Sequence, residues 1–234
     1  MVSQYQVEYK CNGIPNFFEF YLFVNPLGNK CYQCERELFE TVDLISSKVD
    51  VHILPFYHQA LVDDFIEQLN VPKNDLDTRN ELYERVYLAS LAYKAASLQG
   101  KRKGREFLSL MQETYANKID HFTRDAVMQL AEAIGIDKAM FAEDLSSDFT
   151  RDLYMKDQRI AQEMNVLKTP ALVIFEHQSG EDGIVLHNAI TTENIMKEID
   201  QLIMKQYQKI SERSMRRNVR HQCAKVISLM RDHG

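Results

Sequence analysis

The sequence predicts an α/β fold interrupted by a long helical block, and three observations carry that prediction. Phe17–Val24 (FFEFYLFV) and Val49–Phe56 (VDVHILPF) are short runs rich in aromatic and β-branched residues, and the segment between them has helical spacing at Leu38, Val42 and Ile45. That pattern reads as a βαβ unit. From about residue 59 to 166 the apolar spacing is helical. After it, Ala171–Phe175 and Gly183–His187 read as two strands joined by EHQSGEDG, whose Gly, Ser and Asp content makes a turn and so a hairpin.

The first strand runs into VNPLGNK, a Pro and Gly turn, and then into Cys31-x-x-Cys34, with the next helix expected to start near Asn29 or Lys30. In the helical block, LYERVYLASLAYKAASLQG places Leu82, Val86, Leu88, Ala89, Ala92 and Ala96 on one broad face. Gly100, Gly104 and Gly135 punctuate the block, and Thr123 stands as an N-cap for the helix that ends near Gly135. Tyr83, Tyr87, Tyr93, Met111, Tyr115 and Met128 on these helices are assigned mostly to the core, and any left exposed suit a protein partner. The basic cluster GKRKGRE at 100–106 reads as an exposed loop or helix end. TTENIMKEIDQLIMKQY forms the closing helix, capped by Thr191 or Thr192, with Ile195, Ile199, Leu202 and Ile203 toward the sheet. No internal repeat or low-complexity segment interrupts this order.

The composition is that of a globular chain: 234 residues, 45% apolar, 26% charged, net charge −6. The N-terminus lacks a basic start followed by an apolar run, and Phe17–Val24 is too short to span a bilayer. A cytosolic location is the expectation. The four cysteines, Cys11, Cys31, Cys34 and Cys223, are too few for a disulfide framework. The charge is uneven, because eight of the last thirty residues are Lys or Arg against only Glu212 and Asp232. Such a tail can serve as a solvated amphipathic helix or attract an acidic surface or RNA, although the acidic remainder argues against a nucleic-acid protein.

No Walker A loop, GxGxxG, GxSxG or kinase set is present, which removes the usual nucleotide and hydrolase readings. The Cys31, Cys34 pair follows a strand at a helix start, where a thiol pKa is lowered, so redox chemistry and a structural or oxidant-sensitive pair are both open. The pair also has the spacing of half a zinc site, with Cys11 as a third thiolate, but no histidine stands nearby. Histidines 52, 58, 121, 177, 187, 221 and 233 show no paired spacing and are expected to be surface or packed residues. No metal or cofactor is assigned.

The element order is that of the thioredoxin fold, and the insertion of roughly a hundred residues makes it similar to the DsbA type. Thr169-Pro170 stands just before a strand, where such folds carry a cis proline facing the dithiol. Residues 1–58 and 167–208 are then the thioredoxin-like domain, 59–166 the helical insertion domain and 209–234 a basic helical tail.

YLFVNPLGNKC, LAYKAASLQGKRKGREFLSLMQET and the approach AQEMNV to Thr169-Pro170 resemble the SpxH/YjbH family over about residues 5 to 204, most specifically in the helical segment. The resemblance implies a cytosolic DsbA-like adaptor of Gram-positive bacteria that binds the redox-stress transcription factor Spx and promotes its degradation by the ClpXP protease. It implies a partner-binding surface at Gly28, Asn29, Lys30, Cys31, Tyr32, Thr169 and Pro170. In that family the turn usually reads like FVDPLCPEC, so its first cysteine falls on Gly28 and its second on Cys31. With no sulfur at 28, the implied role is binding without catalysis. The alternative is a cytosolic thiol–disulfide oxidoreductase or redox sensor that uses Cys31, Cys34 and Pro170. Family members often continue into a longer C-terminal region, and at that place this sequence has its basic tail.

Overall fold

The computed structural model describes residues 5–177, 183–187, 189–215 and 223–229. The chain begins with β1 (Tyr5–Cys11), β2 (Ile14–Pro15) and β3 (Phe17–Val24), followed by α1 (Asn29–Leu44) and β4 (Lys48–Pro55). Six α-helices follow: α2 (Gln59–Gln68), α3 (Leu76–Leu98), α4 (Lys101–Tyr115), α5 (Arg124–Ala133), α6 (Lys138–Ser146) and α7 (Asp148–Glu163). The chain then forms β5 (Ala171–Glu176), β6 (Ile184–Leu186), α8 (Thr192–Met215) and β7 (Cys223–Leu229). The expected βαβ unit, helical block, hairpin and closing helix are all present.

Two compact units divide the chain. The first contains residues 5–22, 34–53 and the described residues from 171 onward. It is built on a four-stranded sheet of order β4-β3-β5-β6 and a three-stranded sheet of order β2-β1-β7. On β3 the side chains alternate, with Phe18, Phe20 and Leu22 fully buried and Phe17, Glu19 and Tyr21 partly open. β5 and β6 pair antiparallel with Leu172 opposite Leu186, as the hairpin reading requires. The turn residues 178–182 lie outside the described residues. Thr191 Oγ1 accepts from the Asn194 N–H at 3.3 Å and caps α8, which buries Ile195, Ile199, Leu202 and Ile203.

Two findings correct the sequence reading here. The tail is not a continuous basic helix: α8 runs on to Met215, and Cys223–Leu229 is a strand paired antiparallel with β1, from Tyr5 opposite Leu229 to Cys11 opposite Cys223. A stretch containing Val226 and Ile227 suits a strand, and β1 offers it backbone groups that need partners. β1 itself was not foreseen, although Val7, Tyr9 and Cys11 are buried in strict alternation.

The second unit contains residues 23–33 and 54–170. The strand-to-helix turn therefore belongs to the helical unit, not to the sheet unit that the sequence boundary at 58 gave it. Its helices are closed by side-chain caps: Asp75 accepts from Thr78, Thr123 from Ala126, Asp137 from Met140 and Ser147 from Thr150. α3 and α4 pack closely because Gly104 has no side chain, since a Cβ there would lie 2.2 Å from Ser97 Oγ and 3.0 Å from its Cα. The basic cluster 100–106 thus starts α4 rather than forming a loop, and Lys103 donates to the Ile134 carbonyl.

Candidate functional site

The turn before α1 is organised by Asn25, which is 7% exposed. Its Oδ1 accepts from the Leu27 N–H at 3.0 Å, and its carbonyl accepts from the Gly28 N–H at 3.0 Å. These bonds form an Asx turn inside a backbone turn. The Gly28 carbonyl takes the first helical bond, from Tyr32 N–H at 3.1 Å, so α1 begins where the sequence placed it. A Cβ at position 28 would lie 3.1 Å from the Asn25 side chain, so glycine and the tight turn suit each other.

Cys31 lies in the first turn of α1, 2% exposed, and its Sγ accepts the Asn25 N–H at 3.1 Å. Cys34, one turn further along the helix, is half-buried. Burial pushes its thiol up to about 11, with the charges of Glu35 and Glu37 acting in the same direction. The two thiols of the motif therefore meet different surroundings.

Thr169-Pro170 is a cis peptide. The Thr169 N–H donates to His58 Nε2 at 3.1 Å, and Thr169 Oγ1 lies 3.1 Å from the same nitrogen. With Nε2 accepting, the ring proton sits on Nδ1. Burial lowers the His58 pKa, opposed by the nearby Asp64 charge, so the ring is neutral near pH 7.

These groups line one groove of about 800 Å³ within the helical unit. Gly28, Asn29, Lys30, Cys31, Thr169 and Pro170 lie along it, as expected, whereas Tyr32 and Cys34 are not among its lining residues. His58 and α2 supply a wall of Leu61, Asp64, Phe65 and Glu67, and the segment after α4 supplies Ala116, Ile119 and Asp120. Three carboxylates, Asp64, Glu67 and Asp120, thus share the groove with Lys30. Sequence reading missed this wall because helical spacing marks which residues are buried, not which exposed ones face a distant turn. An apolar floor with convergent polar groups can hold a segment of another protein chain.

Outside the groove, in the sheet unit, Glu19, Asp50 and His52 bring ligand-type atoms within 4.8 Å of one another. His52, expected to be a surface or packed residue, is partly exposed and stacks on Tyr21 beside these carboxylates. No other group of three such side chains occurs among the described residues.

A family model described as Thioredoxin matches residues 21–215, nearly the whole of this architecture. The chain belongs to the thioredoxin family. Within that thioredoxin framework, the DsbA of Xylella fastidiosa superposes with a TM-score of 0.56 at 11% identity, over 80% of this chain and 85% of that one. This likeness establishes a DsbA-type thioredoxin fold with a helical insertion. The ClpXP adapter protein SpxH of Bacillus subtilis is 28% identical over 191 residues, covering 74% of this chain and 64% of that protein. The protein of the same name from Staphylococcus epidermidis is 39% identical over 95 residues, or 41% of this chain and 36% of that one. The chain thus spans less than two thirds of the length of these relatives. No helix among the described residues is long and apolar enough to cross a membrane.

Proposed function

We propose that this protein is a non-catalytic adaptor of the cytoplasm that holds a protein client, the transcription factor Spx, and promotes its degradation by the ClpXP protease. The single observation that carries the reading is the turn at Gly28. In a thioredoxin-family chain that is similar to ClpXP adapter proteins, a residue without a side chain stands where the attacking thiol is expected. The groove supports it, with Gly28, Asn29, Lys30, Cys31, Thr169 and Pro170 as contact residues and Tyr32 beside them. His58, Asp64 and Glu67 join this surface.

Adaptors act by raising the local concentration of a client at its protease or by biasing the client toward an engaged conformation, and neither needs a reactive group. A test combines purified Spx, ClpX and ClpP with and without the protein. The expected result is a detectable complex with Spx and faster Spx turnover. No complex and no acceleration overturns the proposal.

The competing reading, a thiol–disulfide oxidoreductase using Cys31 and Cys34, is favoured by one feature, the N–H bond to Cys31 Sγ at a helix start. Burial holds the Cys34 thiol protonated at neutral pH, so in that reading Cys31 is the attacking thiol and Cys34 the resolving one. An insulin-reduction assay separates the two readings.

A further inference from the structure

We infer that Glu19, Asp50 and His52, on the neighbouring strands β3 and β4, form a binding site for a divalent transition-metal ion of the zinc class. The site is independent of the groove, of the cysteines and of the proposed adaptor role. The three ligand-type atoms lie within 4.8 Å of one another. His52 Nε2 is 3.5 Å from Asp50 Oδ2 and 3.9 Å from Glu19 Oε1, yet it is shielded from solvent and makes no hydrogen bond among the described residues. A ring nitrogen beside two carboxylates that hydrogen-bonds to neither is placed as a ligand would be.

Around a tetrahedral zinc ion, donors about 2.0–2.2 Å from the metal stand roughly 3.3–3.6 Å apart. Closing the cluster onto an ion therefore needs only small rotations of side chains that are about a quarter to two fifths exposed. One imidazole and two carboxylates make a mixed N and O set, and the solvent side leaves the fourth position to water. A cation would also relieve the repulsion between the two carboxylates.

The supporting contacts favour a single-oxygen ligand at Glu19. Its Oε2 receives His177 Nε2 at 3.0 Å and the Tyr21 hydroxyl at 3.3 Å, which leaves Oε1 on the His52 side. The His52 ring is fixed by stacking on Tyr21, with centroids 4.6 Å apart and planes 17° from parallel. The His177 ring is fixed in the same way on Phe17, at 4.5 Å and 11°. Partners that orient the ligands in this way tune metal affinity.

The test is a zinc titration of the full chain carrying Cys11, Cys31, Cys34 and Cys223 all changed to Ser, in competition with a chromogenic chelator. One saturable equivalent is expected, with His52→Gln or Asp50→Asn weakening it by tenfold or more, and His177→Gln weakening it by about tenfold. No saturable binding, or binding unchanged in a folded His52→Gln variant, overturns the inference. If those variants unfold, imidazole nitrogen NMR of the cysteine-free chain decides: zinc must shift the His52 Nε2 resonance more than that of His121. Equal or absent shifts sink the site.

Discussion

The helical unit places polar groups in two settings and treats them in opposite ways. Between α3 and α7, Lys94 and Asp157 form an ion pair with side chains 14% and 7% exposed. Beside them Tyr57, Tyr83, Tyr87 and Tyr154 form a ladder of ring contacts with centroids 5.0–6.1 Å apart. There the polar groups meet one another. Along the groove, by contrast, Lys30, Asp64 and Glu67 are exposed. Removing one member of a closed pair disturbs the fold, while a polar group left facing a groove is available to a partner. The difference separates structural positions from candidate binding positions without any appeal to motif.

The largest effect should come from opening the closed region. Lys94→Met leaves Asp157 buried without its counter-charge and should cost about 3–5 kcal/mol, read by chemical denaturation at pH 8. The penalty should shrink as pH falls, because burial already raises the Asp157 pKa, loss of Lys94 raises it further, and the carboxyl then takes up a proton. Next in size is Gly104→Ala, whose Cβ drives α3 away from α4 at Ser97 and should cost about 1–3 kcal/mol in the same assay. Lys30→Ala and Asp64→Asn in the groove should instead change stability by less than about 0.5 kcal/mol while weakening capture of Spx. Equal stability losses in both regions would erase the distinction.

The sequence was most informative where chemistry is local. Thr123 and Thr191 act as caps where the side-chain pattern put them, α1 begins at Asn29 after a turn written as Pro26 and Gly28, and the hairpin pairs as read. Three things needed the fold. β7 was hidden by the basic residues around it. The acidic wall of the groove joins α2 and the segment after α4 to a turn many residues away. Glu19 meets His52 only once β3 and β4 lie side by side, a register that no spacing within either strand specifies.

The two regions should also answer pH with opposite signs. His58 titrates below its usual value when folded, so the unfolded chain binds the extra proton and stability falls as pH drops through about 6.5. Asp157 has its folded value raised, so the native state binds the proton and stability rises as pH falls from about 6 toward 4. His58→Gln should remove the first slope and Asp157→Asn the second, in denaturation curves collected from pH 4 to 8. A His58→Gln chain that still loses stability between pH 7 and 6 as the parent does would show that the ring at the Thr169 loop is not the group responsible.

The smallest expected effect is the sharpest probe of the site itself. Cys31→Ser with Cys34→Ser keeps an acceptor for the Asn25 N–H and removes both thiols, so the turn, the groove and client capture should persist within about twofold. In the unsubstituted protein the Cys34 thiol should react with alkylating agents mainly through its rise to about 11, giving a rate that still climbs at pH 10. A catalytic pair would instead show a plateau near neutral pH at the attacking thiol, Cys31, and the double substitution would abolish function while the fold remained. That outcome would move the working part of this protein from the walls of the groove to the sulfurs, because a surface that binds through shape and charge has no reason to lose its partner when two sulfur atoms become oxygens.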